Sequence, residues 1–243
     1  MNTIVLVHGA FAGKYAWELV KPMLEKAGHK VVTFDLPAHG DDTTAPQNAT
    51  FESYVNTVVQ AINAEPGKVI LVGHSMGGVV ISAVAENIPA KIEKLIYLSA
   101  YIPKSGQSLQ ELAGIDAESL IGANLKFVPD YSGAYLPDDI TEKVFAGDCT
   151  EDIKKLVVEK SKGKLEPLAA FQAKPLLTEE QFGSVAKYYI ETLNDEGVSN
   201  KLQKQMVKDN GTIKKVYSLQ CSHSAYFAKP DELAAILLEL SAE

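Results

Sequence analysis

The 243-residue chain has little cysteine, no long apolar run and no excess of basic charge. Cys149 and Cys221 are far apart and outside any Cys-x-x-Cys or Cys/His metal spacing, so neither a disulfide framework nor a structural zinc site is expected. Two reduced thiols fit a cytoplasmic protein. Nowhere do about 18 apolar residues follow one another, which argues against a membrane-spanning helix. The start, Met1-Asn2-Thr3 leading into Ile4-Val5-Leu6-Val7, has no basic n-region or small-residue cleavage site, so no secretory signal is read there. With 23 Lys+Arg against 31 Asp+Glu the net charge is −8, the wrong sign for gripping phosphates, so no nucleic-acid partner is expected. Hydrophobic residues at 46% and charged ones at 22% describe a chain able to bury a core, and the length suits one domain, with or without an insertion.

Short β-branched runs alternate with longer amphipathic stretches, the pattern of a parallel sheet with crossover helices. Strands are expected at Ile4–Val7, Val31–Phe34, Lys68–Val72, Leu95–Leu98, Tyr188–Glu191 and Ile213–Leu219, several of them apolar throughout, as when helices cover both faces. Helices are expected at Trp17–Ala27, Phe51–Ala64, Gly78–Asn87 and Asn200–Lys208. A last one starts at Pro230, with Leu233, Ile236, Leu237 and Leu240 on one stripe. The rhythm stops after Pro103 and resumes near Lys187. The intervening 104–184 stretch has helix-like pieces such as Glu151–Lys160 but no sheet rhythm, and it leaves a strand at its C-terminal end, where open α/β sheets bind ligands. It reads as a helical cap over a site, dividing the chain into a core of residues 1–103 and 185–243 and a cap of residues 104–184. Plain surface decoration is the alternative.

Lys68–Val72 runs into Gly73-His74-Ser75-Met76-Gly77-Gly78 and then an apolar helical stretch, so a G-x-S-x-G motif sits between strand and helix. Such a turn strains the serine backbone and needs small neighbours two positions away, which Gly73 and Gly77 supply. Ser75 is therefore the candidate nucleophile, at a helix N-terminus that favours developing negative charge. A serine hydroxyl needs a base, and the base an orienting carboxylate. Of five histidines, His74 should project away from Ser75, His29 lies in a turn at the opposite sheet end, and His8 and His39 precede the serine. His223 follows the last strand and precedes the final helix, where the order Ser…Asp/Glu…His places the base. Asp195, beyond the penultimate strand, is the candidate acid, with Glu196 as its neighbouring competitor. Backbone N–H groups of Met76 and of Ala10, in the small-residue loop Val7-His8-Gly9-Ala10-Phe11, are the candidate oxyanion donors. Phe11 and Tyr101 flank the expected cleft and could line a pocket or simply fill core.

Together these residues resemble the α/β-hydrolase superfamily, and within it the branch of plant salicylate-binding methylesterases, hydroxynitrile lyases and bacterial esterases such as pyrethroid hydrolases. The likeness runs over nearly the whole chain, through Val7-His8-Gly9-Ala10, Ala27-Gly28-His29-Lys30-Val31, the Lys68–Gly78 elbow and Leu98-Ser99-Ala100-Tyr101-Ile102-Pro103, and more weakly to Asn194-Asp195. It implies a mainly parallel sheet of about six strands with a helical cap, and the same roles for Ser75, Asp195, His223, Ala10 and Met76. The lyases of this branch carry a threonine and a lysine where Gly9 and Ser224 stand here, and dehalogenase relatives need a carboxylate nucleophile, so neither chemistry is expected. The expected activity is hydrolysis of a small, mostly apolar carboxylic ester through an acyl-enzyme, with no metal or organic cofactor. Lactone, thioester or C–C bond hydrolysis on the same triad, or a small-molecule receptor on this scaffold, are the alternatives. The oligomeric state, a homodimer among the options, is open at this level.

Overall fold

A computed structural model describes residues 1–243. Six parallel strands, β1 (Thr3–Val7), β2 (Lys30–Thr33), β3 (Val69–His74), β4 (Ile92–Leu98), β7 (Ala186–Thr192) and β8 (Ile213–Leu219), form one sheet in the order β2-β1-β3-β4-β7-β8. Side chains alternate across each strand, so successive apolar residues feed opposite faces. Val5, Val7, Leu71, Leu95 and Tyr189 join α2 (Phe51–Asn63), α3 (Gly77–Asn87) and α9 (Asn200–Asn210) in one buried layer. Ile4, Leu6, Ile70, Val72, Ile96 and Ile190 join α1 (Lys21–Lys26), α10 (Ala225–Ala228) and α11 (Pro230–Ala242) in the other. Burial on both faces is why these strands read as continuous apolar runs.

The helices follow their local chemistry. Thr50 caps α2 through a reciprocal bond pair with Ser53, and Tyr54, Val55, Val58 and Ile62 form its buried stripe. Helix α3 is buried over almost its whole surface, which suits its position directly behind the elbow. The helix expected over Trp17–Ala27 is instead a 3-10 turn at Lys14–Trp17 followed by the short α1. Pro22 is the reason: it lacks an N–H and is tolerated in a first helical turn but not in an interior. No helix is long and apolar enough to cross a membrane.

Between β4 and β7 the chain forms α4 (Leu109–Gly114), α5 (Leu120–Asn124), a two-stranded antiparallel hairpin of β5 (Lys126–Phe127) and β6 (Ala134–Tyr135), α6 (Asp138–Ala146), α7 (Glu151–Ser161) and α8 (Ala169–Gln172). The hairpin adds two strands to a stretch that has no sheet rhythm in the sequence. Its strands are two residues long, too short for a period-2 signal, and its turn is held by Asp130, which accepts from the Ser132 N–H and hydroxyl. Leu109, Leu112 and Ala170 enter the first apolar layer, and Val144, Phe145 and Val157 the second, so the segment is packed onto the sheet body.

Candidate active site

The sequence-predicted residues lie at the C-terminal edge of the sheet, on the loops after β1, β3, β4, β7 and β8. The elbow after β3 puts Ser75 at φ +53, a left-handed conformation that costs a non-glycine residue about 1–3 kcal/mol and is held by its surroundings. The Ser75 N–H donates to the Leu98 carbonyl and the Ser75 carbonyl accepts from the Tyr101 N–H, which ties the elbow to the end of β4. Gly77 is required by close approach, since a Cβ there would stand 2.8 Å from the His8 carbonyl oxygen.

Asp195 and His223 are brought together by the β7–β8 pairing. Beyond its register, the Leu193 N–H donates to the Leu219 carbonyl and the Asn194 N–H to the Cys221 carbonyl. His223 Nδ1 then lies 2.8 Å from Asp195 Oδ2, both side chains fully buried. Asp195 also accepts from the N–H groups of Gly197 and Val198, from the Thr192 hydroxyl and from the Gln203 amide. Every partner of this carboxylate is a donor, so His223 carries a proton on Nδ1, and in the neutral ring the lone pair is on Nε2. That Nε2 is buried and makes no hydrogen bond. Because the Thr192 hydroxyl proton is committed to Asp195, the Ser99 hydroxyl, 2.7 Å from Thr192 Oγ1, must be the donor in that contact. Glu196, the competitor, is half-buried and pairs with Lys143 at 3.3 Å.

His74 does not simply point out of the way. Its ring lies 4.5 Å from that of His223, and its Nε2–H donates to the His223 carbonyl at 3.0 Å, anchoring the histidine loop to the residue next to Ser75. Burial and the charge of His223 push His74 well below the usual histidine range, so it stays neutral beside the ring that would become cationic. His8 behaves as its position suggested: Nδ1–H donates to the Gly9 carbonyl and Nε2 accepts from the Leu36 N–H. Burial, then the charge of His39, lower it to about 3. Burial raises both thiols, Cys149 and Cys221, to about 12, which leaves neither as a thiolate nucleophile.

Ala10, Phe11, Ser75, Met76 and Tyr101 all line one cavity of about 390 Å³. The N–H groups of Ala10 and Met76 donate to nothing in the protein. The rest of the lining comes from residues 109–172, among them Leu109, Ile121, Leu125, Phe127 and Phe171, and 12 of its 17 residues are hydrophobic. The polar side chains of its lining, Ser75, Tyr101, Gln110, Tyr131 and Gln172, are all uncharged and suit a neutral organic ligand better than an ion. The Tyr101 hydroxyl makes no hydrogen bond within the protein; burial, with Asp116 and Asp195 nearby, raises it, so it can act as a neutral donor.

Three groups around the site carried no signal of their own. Gln203 lay on an expected helix, but its reach back to Thr192 and Asp195 follows only from how α9 packs. Asp148 accepts from the Ser222 N–H and hydroxyl, beside His223. Glu166 accepts from the Phe11 N–H.

The chain is 31% identical over 253 residues to salicylic acid-binding protein 2 of Nicotiana tabacum, covering 98% of this chain and 96% of that one. It is equally identical over 253 residues to putative methylesterase 11, chloroplastic, of Arabidopsis thaliana, of whose length it spans 64%. The crystal structure of polyneuridine aldehyde esterase superposes with a TM-score of 0.87 at 26% identity, over 99% of both chains. The model of the alpha/beta hydrolase family matches residues 4–236, and the chain belongs to that family.

Proposed function

We propose that the protein is a serine hydrolase that cleaves a carboxylic ester of a small, mostly apolar substrate through an acyl-enzyme, with Ser75 as nucleophile, His223 as base and Asp195 as orienting acid. The observation that carries this reading is the fully donor-saturated Asp195, which fixes the Nδ1–H tautomer of His223, together with a cavity lined by Ser75 and by Ala10 and Met76, whose N–H groups are unengaged. Relatives named as a methylesterase and an esterase support it.

Ser75 Oγ attacks the ester carbonyl as its proton passes to His223 Nε2, and the carbonyl π electrons move onto oxygen. The Ala10 and Met76 N–H groups receive that oxyanion; losing one such donor typically costs about 10²–10³ in kcat. Collapse expels the alkoxide, which takes the proton from Nε2. Water then repeats the sequence against the acyl-enzyme and restores the Ser75 hydroxyl. Asp195 keeps its charge throughout and stabilises the imidazolium. Phe11 and Tyr101 belong to the substrate pocket, and residues 104–184 form a cap that roofs it and carries selectivity over the core of 1–103 and 185–243. Nitrile-lyase chemistry does not fit: a threonine Cβ at Gly9 would lie 2.7 Å from the Ser75 Cβ, and Ser224 is buried against Tyr226 where that chemistry wants a lysine.

Ser75→Ala should abolish hydrolysis of p-nitrophenyl acetate and labelling by a fluorophosphonate probe while leaving the fold intact by circular dichroism. Turnover that survives in the folded variant sinks the assignment.

A further inference from the structure

The Ala10 N–H belongs to the Gly9–Ala10 peptide, and the peptides around it are pinned from two directions. Because that peptide is trans, its carbonyl and N–H point opposite ways, and the His8 bond to the Gly9 carbonyl at 2.8 Å therefore orients the Ala10 N–H. The next peptide is held by a residue from 155 positions away: Glu166 Oε2 accepts from the Phe11 N–H at 2.5 Å. Phe11 itself sits at φ +59, an uncommon conformation for an aromatic residue that needs such a hold.

Glu166 is buried, and its own backbone is fixed by paired bonds to Ala134, N–H to carbonyl in both directions. Its second side-chain partner is His39, whose Nε2 lies 3.0 and 3.1 Å from the two carboxylate oxygens while Nδ1 lies 3.0 Å from the Pro37 carbonyl. Both ring nitrogens thus face acceptors. A neutral imidazole would aim a lone pair at one of them, and the doubly protonated ring satisfies both. Burial disfavours that cation, but the charge and hydrogen bond of Glu166, the Pro37 carbonyl and Asp35 outweigh it and hold His39 above the usual histidine range.

Resting on the ester-hydrolase reading, we infer that Glu166, charge-paired with His39, is a positioning residue for the oxyanion loop. It fixes the peptide that follows Ala10, and so the aim of the Ala10 amide at the reacting carbonyl, from the same segment that roofs the substrate. A carboxylate suits this role because an ionised acceptor holds an N–H about twice as strongly as a neutral one. The pairing with His39 keeps that charge from being buried alone.

The test is kinetic, on variants of the whole chain with matched melting temperatures. A misaimed donor weakens the transition state and not the bound ester, so Glu166→Ala should lower kcat about tenfold or more with KM within about threefold. Affinity for an aryl trifluoromethyl ketone, whose hemiketal oxyanion occupies the same place, should fall in proportion. Glu166→Gln keeps an acceptor oxygen within reach of Phe11 and should retain more kcat than Glu166→Asp, which keeps the charge but is one methylene short. That order carries the test if the alanine variant fails to fold. Aspartate matching or exceeding glutamine, or a fall in kcat with unchanged ketone affinity, overturns the positioning role. Ser75-dependent turnover untouched by all three variants does the same and leaves the hydrolase reading standing, whereas turnover independent of Ser75 defeats that reading itself.

Discussion

Residue 9 has no room for a side chain. A Cβ there would stand 2.7 Å from the Ser75 Cβ, 3.0 Å from His74 Nδ1 and 3.1 Å from the His74 carbonyl. The Ser75 and His74 backbones are fixed by the elbow, so the glycine side of the contact must yield, and it carries the Gly9–Ala10 peptide with it. Gly9→Ala should therefore cost about 10²-fold in kcat/KM on an aryl ester, as a donor displaced by a fraction of an ångström would. The same variant with wild-type kinetics would mean that the Ala10 amide is not used. Asp195→Asn attacks the other half of the site. An asparagine can serve the Gly197 and Val198 N–H groups or His223, but its NH₂ then faces a donor on one side. If the NH₂ turns to His223, Nδ1 must accept, and the Nε2 lone pair is replaced by a proton. The expected loss is about 10³–10⁴ in kcat, with fluorophosphonate labelling slowed alongside; labelling at the wild-type rate would count against Asp195 as the orienting acid.

At the scale of elements, the segment between β4 and β7 is stitched to the loops after β1, β7 and β8. Asp116 accepts from the Ser199 N–H, the Ser119 hydroxyl donates to the Gly197 carbonyl, and the Leu120 N–H donates to the Glu196 carbonyl, all beside Asp195. Asp148 holds the His223 loop through Ser222, and Glu166 holds the loop after β1. Asp148→Ala strands the buried Ser222 N–H at a cost of about 1–3 kcal/mol, which for a chain of this size lowers Tm by several degrees at about 2–4 °C per kcal/mol. It should also reduce kcat, because the His223 loop loses its outer hold. Asp148→Asn keeps an acceptor for that N–H and should recover most of both; equal melting curves for alanine and wild type would show that Ser222 finds another partner. These contacts were not legible in the sequence, and the reason is physical. The sheet, the elbow and the order of Ser75, Asp195 and His223 follow from local periodicity and turn chemistry. A single carboxylate reaching a loop 74 or 155 residues away leaves no periodic trace. His39 is readable only as a histidine that precedes the serine, nothing local points to Glu166, and the hairpin of β5 and β6 is too short to alternate.

For the whole molecule, the buried histidines set how stability depends on pH, and they act in opposite directions. His8 and His74 are neutral when folded, with pKa values pushed down mainly by burial, whereas in the unfolded chain they titrate near 6.5. Below that pH the unfolded state binds protons that the folded state refuses, so stability is full above about pH 6.5 and falls as pH drops, by about 1.4 kcal/mol per pH unit for each group. His39 is raised in the folded state, so its contribution is complete below about pH 6.5 and is lost as pH rises through its folded value. The groups facing it are Glu166, Asp35, Asp42 and His8, with the ring of Tyr54 at its edge, and the acids among them favour the cation. Asp35 and Asp42, which sit below the usual carboxylate range, give way only in a more acidic window, below about pH 4. Urea unfolding between about pH 5 and pH 9 should therefore trace a dome with its top near neutral pH. His8→Asn should flatten the acid limb, because an asparagine cannot take up the proton that breaks the bond from the Leu36 N–H, at the cost of some stability at pH 7. His39→Gln should flatten the alkaline limb and, by removing the charge that helps hold His8 down, ease the acid limb only slightly. An alkaline limb that persists in His39→Gln would mean that the charge pair with Glu166 does not contribute to folding, and an acid limb that survives substitution of both His8 and His74 would shift acid sensitivity to the carboxylates.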